Sequence, residues 1–176
     1  MALCKSQCDF LRLLSAACLI VMAVVCGTPS ATRANASEEG SDLPHKSYSG
    51  YFVSNQFEPD AAQSFLVIQS QADFDKVFGA AVVMRDKSHR LPKEVFTNNL
   101  VVAAIYRGNS LREFQVERVS ENSDAVVLLR YTTLETLSDT ATFACPLIVS
   151  IPKNKYRSVL FLNNGTAEKE VACEAP

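Results

Sequence analysis

The chain has 176 residues, of which 48% are hydrophobic, and its 17 basic and 19 acidic side chains leave a net charge of −2. That length suits one hydrophobic core. The mildly acidic balance argues against nucleic acid as a partner, because phosphate recognition needs a basic face strong enough to dominate the surface.

Lys5 and Arg12 flank a short polar start, Leu11 to Val25 is almost wholly apolar, and Ala34-Asn35-Ala36 supplies small residues where a signal peptidase cleaves. This predicts a secretory signal over residues 1–36 and an exported, periplasmic or extracellular product. The apolar run falls short of the ~20 residues a membrane-crossing helix needs, so no span is expected after cleavage. A lipid anchor at Cys26 fits less well, since Val25 stands where a small residue is required. Removing Lys5, Arg12, Arg33 and Asp9 takes the charged residues to 14 basic and 18 acidic, a net charge of −4. Two cysteines remain, Cys145 and Cys173, and an even pair in an exported chain favours a disulfide.

Residues 37–47 are polar, with Gly40 and Pro44 and no apolar period, and read as a flexible leader ahead of a single domain over 48–176. Tyr48 to Phe57 and Ser64 to Ile68 read as strands separated by the turn Glu58-Pro59-Asp60. Ser70-Gln71-Ala72-Asp73 resembles a capping box. Phe74, Val77, Phe78, Ala81 and Val82 then fall on one helical stripe, which predicts an amphipathic helix containing Gly79 and lying on a sheet. Pro92 ends any continuation of it.

Leu100 to Tyr106 is an unbroken apolar run between Asn98-Asn99 and Gly108-Asn109-Ser110, the pattern of a strand buried on both faces. Gly108-Asn109 signals a hairpin that would return Leu111 to Val119 antiparallel to it, with a bulge where the alternation slips at Arg118-Val119. Ala125 to Tyr131 is another strand and Thr132 to Thr140 a polar loop. Thr142 to Ile151 alternates cleanly, and Pro146 places that strand at an edge or a bulge. Ser158 to Leu162 and Lys169 to Cys173 follow around the turn Asn163-Asn164-Gly165. In a plain meander Cys145 and Cys173 would lie at opposite ends of the sheet, so either the tail leaves the meander and a bridge forms, or both thiols are free. The expected class is α+β, a mainly antiparallel sheet with one amphipathic helix packed on it.

Catalytic equipment is sparse. His45 and His89 lie in polar segments, neither at metal-ligand spacing from a cysteine or second histidine. No nucleophile elbow, phosphate-binding glycine loop or zinc-protease motif occurs, and no cofactor is expected. Positive charge gathers in two connections, Arg85, Lys87, His89, Arg90 and Lys93 in one, and Lys153, Lys155 and Arg157 in the other. Such loops are candidate binding surfaces, though basic residues at hairpin tips also serve solubility.

Ile68-Gln69-Ser70 leading to Phe74 and Phe78, Phe96 ahead of Leu100 to Tyr106 and Gly108, and Pro146 to Lys153 together resemble the C-terminal domain of PrcB-type protease-complex accessory subunits. The pieces cover roughly residues 64–162. Asn109-Ser110-Leu111-Arg112 departs from the Gly-Gly-Tyr-type segment of that family. The resemblance implies a noncatalytic domain that binds or stabilises a protein partner, a secreted protease among the candidates, with no catalytic residues to carry over. The alternatives are a small-molecule or anion-binding extracytoplasmic protein, and a small hydrolase centred on His89.

Overall fold

The computed structural model describes residues 40–81 and 90–173. The expected signal and Cys26 lie outside the described residues, as do Arg85, Lys87 and His89. Among the described residues no helix is long and apolar enough to cross a membrane.

The strand predicted to be central is β6, Asn99–Gly108, and every residue from Leu100 to Tyr106 is buried. Its alternating side chains enter two cores. Leu100, Val102, Ala104 and Tyr106 face one, shared with Val127, Leu129, Tyr131, Val159 and Phe161. Val101, Ala103 and Ile105 face the other, shared with Phe74, Val77 and Phe78.

Two sheets supply these layers. One carries β6 between β4 (Gln63–Ile68) and β9 (Phe143–Pro152), with β2 (Lys46–Tyr48) beyond β9. The second has the order β1 (Ser41–Asp42), β7 (Ser110–Glu121), β8 (Val126–Leu137), β10 (Ser158–Asn163), β11 (Thr166–Ala172). All pairings are antiparallel except β8 with β10. That parallel pair is joined through β9 in the opposite sheet, consistent with the long connection parallel strands require. A ribbon of β3 (Tyr51–Val53) and β5 (Phe78–Ala80) stands apart from both sheets in hydrogen bonding.

Several expectations change against this frame. The residues read as a flexible leader contribute β1 and β2, and Leu43 N–H donates to Val119 O at 2.9 Å. The helix α1 is short, Gln71–Val77, with Ser70 Oγ accepting from Asp73 N–H as the capping pattern predicts. It stops before Gly79 because Phe78 and Gly79 turn extended and pair with Val53 and Phe52, satisfying their backbone as a strand. Phe52 is 54% exposed, and its ring occupies the space a Cβ at Gly79 would need. A second helix, α2 (Val95–Asn98), is a single turn leading into β6.

The hairpin expected from β6 into Leu111 to Val119 does not form. Both edges of β6 are taken by β4 and β9, so at Gly108, where φ is +150°, the chain crosses to the other sheet and β7 pairs with β8. Thr132 to Leu137, read as a loop, extends β8 opposite Ser110 to Gln115. The predicted bulge is present one residue earlier, between Val116 and Arg118. Pro146 lies in β9 beyond Ile148, where the short β2 has ended and a missing donor does no harm.

The bridge between Cys145 and Cys173 is absent, and both are free thiols. Cys145 pairs with Tyr106 in one sheet, and the Tyr106 hydroxyl meets Tyr131, which aligns with Asn163 at one end of β10. Cys173 follows β11 at the other end, its N–H donating to Arg157 O at 2.9 Å. The length of β10, about 17 Å at ~3.3 Å per residue, separates them, far beyond the ~7 Å Cα reach of a disulfide. Non-reducing peptide mapping should therefore recover both as unlinked thiols, with Cys173 alkylated faster than the 6% exposed Cys145 in the native protein. Phe74, 1% exposed between α1 and β6, should cost ~3–5 kcal/mol when cut to alanine, read by urea denaturation.

Candidate functional site

Of the sequence-predicted basic residues, Arg90, Lys93, Lys153, Lys155 and Arg157 are described. Arg90 donates through Nη2 to Ala81 O. Lys153 Nζ donates to Phe96 O at 2.6 Å, and Lys153 N–H to Asn98 O at 2.8 Å. The second loop therefore lies against α2, close after Lys93 in the chain. Lys93, Lys155 and Arg157 are exposed, and Arg157 N–H donates to Ala125 O beside the other sheet. Two of the five described cations are thus spent on backbone carbonyls.

The side of the fold where β4 and β11 run is built differently. Each is the last strand of its sheet, and the two edges lie alongside one another. Between them and α1 is a groove of about 620 Å³, lined by Phe65, Val67, Val171 and Ala172, with Asp73 and Lys76 at its helical rim. The rim charges pair, Nζ to Oδ1 at 2.7 Å, and this bond, together with that from Ser70, holds the Asp73 carboxyl below its ordinary range. On the opposite side the sheets are stitched together. Arg112 N–H donates to Cys145 Sγ at 3.3 Å, tying β7 to β9.

At the end of the two-sheet core a polar cluster occupies a place that sequence reasoning filled with apolar contacts. Glu168 accepts from the Tyr131 hydroxyl at 2.8 Å and from the Tyr106 hydroxyl, and the two hydroxyls are 2.7 Å apart. Two phenolic protons thus serve three close oxygen pairs. Asn163 Nδ2 donates to the other Glu168 oxygen at 3.0 Å, and Thr133 Oγ1 orients that amide at 2.9 Å. A bulge aims the carboxylate. The β10–β11 register shifts between Phe161 and Leu162, which skips Glu168 and puts it on the same side as Val171, three residues on. The Arg112 guanidinium stacks on the Tyr106 ring at 4.7 Å, and its Nε is 3.0 Å from Glu135, an ion pair by distance whose angle makes no hydrogen bond.

Neither the cluster nor the groove was legible as a site in the sequence. Tyr106 and Tyr131 end apolar runs and read as core, and Glu168 sits in a segment whose bulge has no local signature. Among the described residues no group of three His, Cys, Asp or Glu side chains is arranged to hold a metal. In comparisons with protein families, curated proteins and solved structures, nothing matches this chain.

Burial first, then the Glu168 bond, raises the Tyr106 hydroxyl above its ordinary pKa of 10.0, and burial with bonds to Tyr106 and Glu168 does the same for Tyr131. In the unfolded chain both phenols ionise near their ordinary value while the folded chain keeps them neutral. Their contribution is therefore complete below about pH 10 and lost as the pH climbs above it. Denaturation midpoints should hold steady to about pH 9 and then fall, with a shallower fall in Tyr131→Phe. At neutral pH that variant should lose ~1–3 kcal/mol, because a buried hydrogen-bond partner is removed.

Proposed function

We propose that this domain is an exported, noncatalytic module that binds or stabilises a protein partner, and that an extended segment of the partner lies along the edge of β4. The observation carrying this reading is the side-by-side placement of two sheet edges, β4 and β11, with an apolar groove between them. An edge strand presents a row of backbone donors and acceptors, and an added strand satisfies them while its alternate side chains fill a neighbouring groove. Phe65, Val67 and Val171 supply such a floor. Export follows from the expected signal at residues 1–36, and the resemblance to PrcB-type accessory subunits makes a secreted protease the first partner to try. The short helix α1, its Phe74 and Val77 turned into the core, is read here as the support that fixes β4 rather than as a binding element.

Catalysis is not part of this reading. The polar groups gathered in the core, Tyr106, Tyr131 and Glu168, already bond one another, and they are read as a structural clasp.

Crosslinking in the exported fraction followed by capture of the tagged chain should recover a partner. Ala172→Lys, at an exposed position on the groove, should weaken that recovery roughly tenfold by placing an unpaired charge in the interface, about 1.4 kcal/mol, while leaving the melting temperature unchanged. Recovery of no partner, or equal recovery by the variant, would count against the edge as the binding surface.

A further inference from the structure

We propose that the pocket at the end of β6 is a carboxylate-binding site in which the Arg107 guanidinium receives the ligand side-on. Arg107 follows seven buried residues and is itself half-buried. Nη1 donates to Ala61 O at 3.1 Å and to Ser64 Oγ at 2.8 Å, and Nη2 donates to Phe57 O at 3.0 Å. All three acceptors are neutral. A guanidinium has five N–H groups in one plane, so these three bonds leave Nε–H and one N–H of Nη2 to offer a carboxylate.

Arg107 makes no ion pair among the described residues. Glu58 lies near enough to favour its charged form, yet burial is the larger influence and acts against that form. Arginine cannot escape a poorly solvated place by losing its proton, so the charge remains and favours a counter-ion. The three neutral acceptors hold the group still without neutralising it.

The space beside it has suitable size and lining. A pocket of about 460 Å³ opens between the loop after β3, the end of β6 and the start of β9, and Ser54, Asn55, Phe57, Thr142 and Phe143 line it with Arg107. No Asp or Glu is among its lining residues. One cation, flanked by amide and hydroxyl groups and by two aromatic rings, matches a monoanionic carboxylate on an apolar stem. The ligand is either a free small carboxylate or the acidic side chain of a polypeptide, and the two share this chemistry.

The test follows the Arg107 Nε–H signal by nitrogen-edited NMR in the purified full chain, titrated separately with sodium acetate, with a blocked peptide carrying one glutamate, and with its glutamine counterpart. Sodium chloride at matched ionic strength is the control. Saturable shifts with acetate and with the glutamate peptide assign the site to carboxylates generally. Shifts with the glutamate peptide alone assign it to polypeptide side chains. Asn55→Asp, at an exposed position whose side chain makes no hydrogen bond among the described residues, adds a competing carboxylate to the wall and should weaken binding at least about tenfold. Arg107→Lys, which loses the two-donor edge and with it the Nε–H signal, should do likewise when the titration is followed instead by the side-chain amide of Asn55 on the pocket wall. The proposal is overturned if neither carboxylate shifts the signal beyond the chloride control, if the glutamine peptide binds as well as the glutamate peptide, or if Asn55→Asp binds as tightly as the parent. Ala172→Lys lies outside this pocket and should bind carboxylate normally, so failure here is distinguishable from failure of the edge reading.

Discussion

Burial of β6 on both faces is the constraint from which the architecture follows. A strand with Val101, Ala103 and Ile105 on one side and Leu100, Val102, Ala104 and Tyr106 on the other needs two apolar layers. One layer is a second complete sheet, the other the α1 and β3–β5 covering. Because β4 and β9 also occupy both hydrogen-bonding edges of β6, nothing later in the chain can pair with it, and β7 must seek partners elsewhere. A single stretch of seven residues thereby turns what would have been one sheet with a helix on it into two packed sheets.

That explains which features could be read from the amino-acid order. The buried strand, the Ser70 cap, the turn at Asn163-Asn164-Gly165 and the bulge near Arg118 all have local causes, and local pattern located them. Strand partnership does not. Gly108-Asn109 is sound turn chemistry, but a turn does not decide which sheet receives the next strand. The same gap left the pairing of Cys145 and Cys173 open. A plain meander sets β9 beside β10 and β10 beside β11; the second pairing forms, but the other edge of β10 is taken by β8. Gly79 marks a further limit. The apolar stripe continues through Phe78, but the backbone there gains more from pairing with β3 than from another helical turn that glycine disfavours.

The candidate sites were harder still, because each is made by geometry that only the folded chain has. Glu168 is an ordinary acidic residue in a polar strand until a one-residue bulge turns it inward to meet two tyrosines from different sheets. The cluster then does what apolar contacts cannot. It fixes the relative position of β6, β8 and β11 through directional bonds, and an unsatisfied member would be costly enough to disfavour a shifted register. Arg107 had one available cue, a cation set immediately after a wholly apolar strand, which indicates a charge placed at the mouth of the core.

The two sides of the fold differ in a way that bears on recognition. Where β7 meets β9, the edge is occupied by Cys145, by Leu43 and by β1, and Arg118 is tied to Asp42 at 2.5 Å. Where β4 meets β11, the outer strand carries Lys169 and Glu170 but the groove floor between the edges is apolar. Charged residues on an edge deter indiscriminate pairing with another sheet. Placed beside an apolar floor, they leave room for a chosen strand while opposing a copy of the same edge, since self-pairing would have to desolvate both charges. The proposed addition of a partner strand at β4 would draw on both features, the apolar floor for affinity and the charges for selectivity.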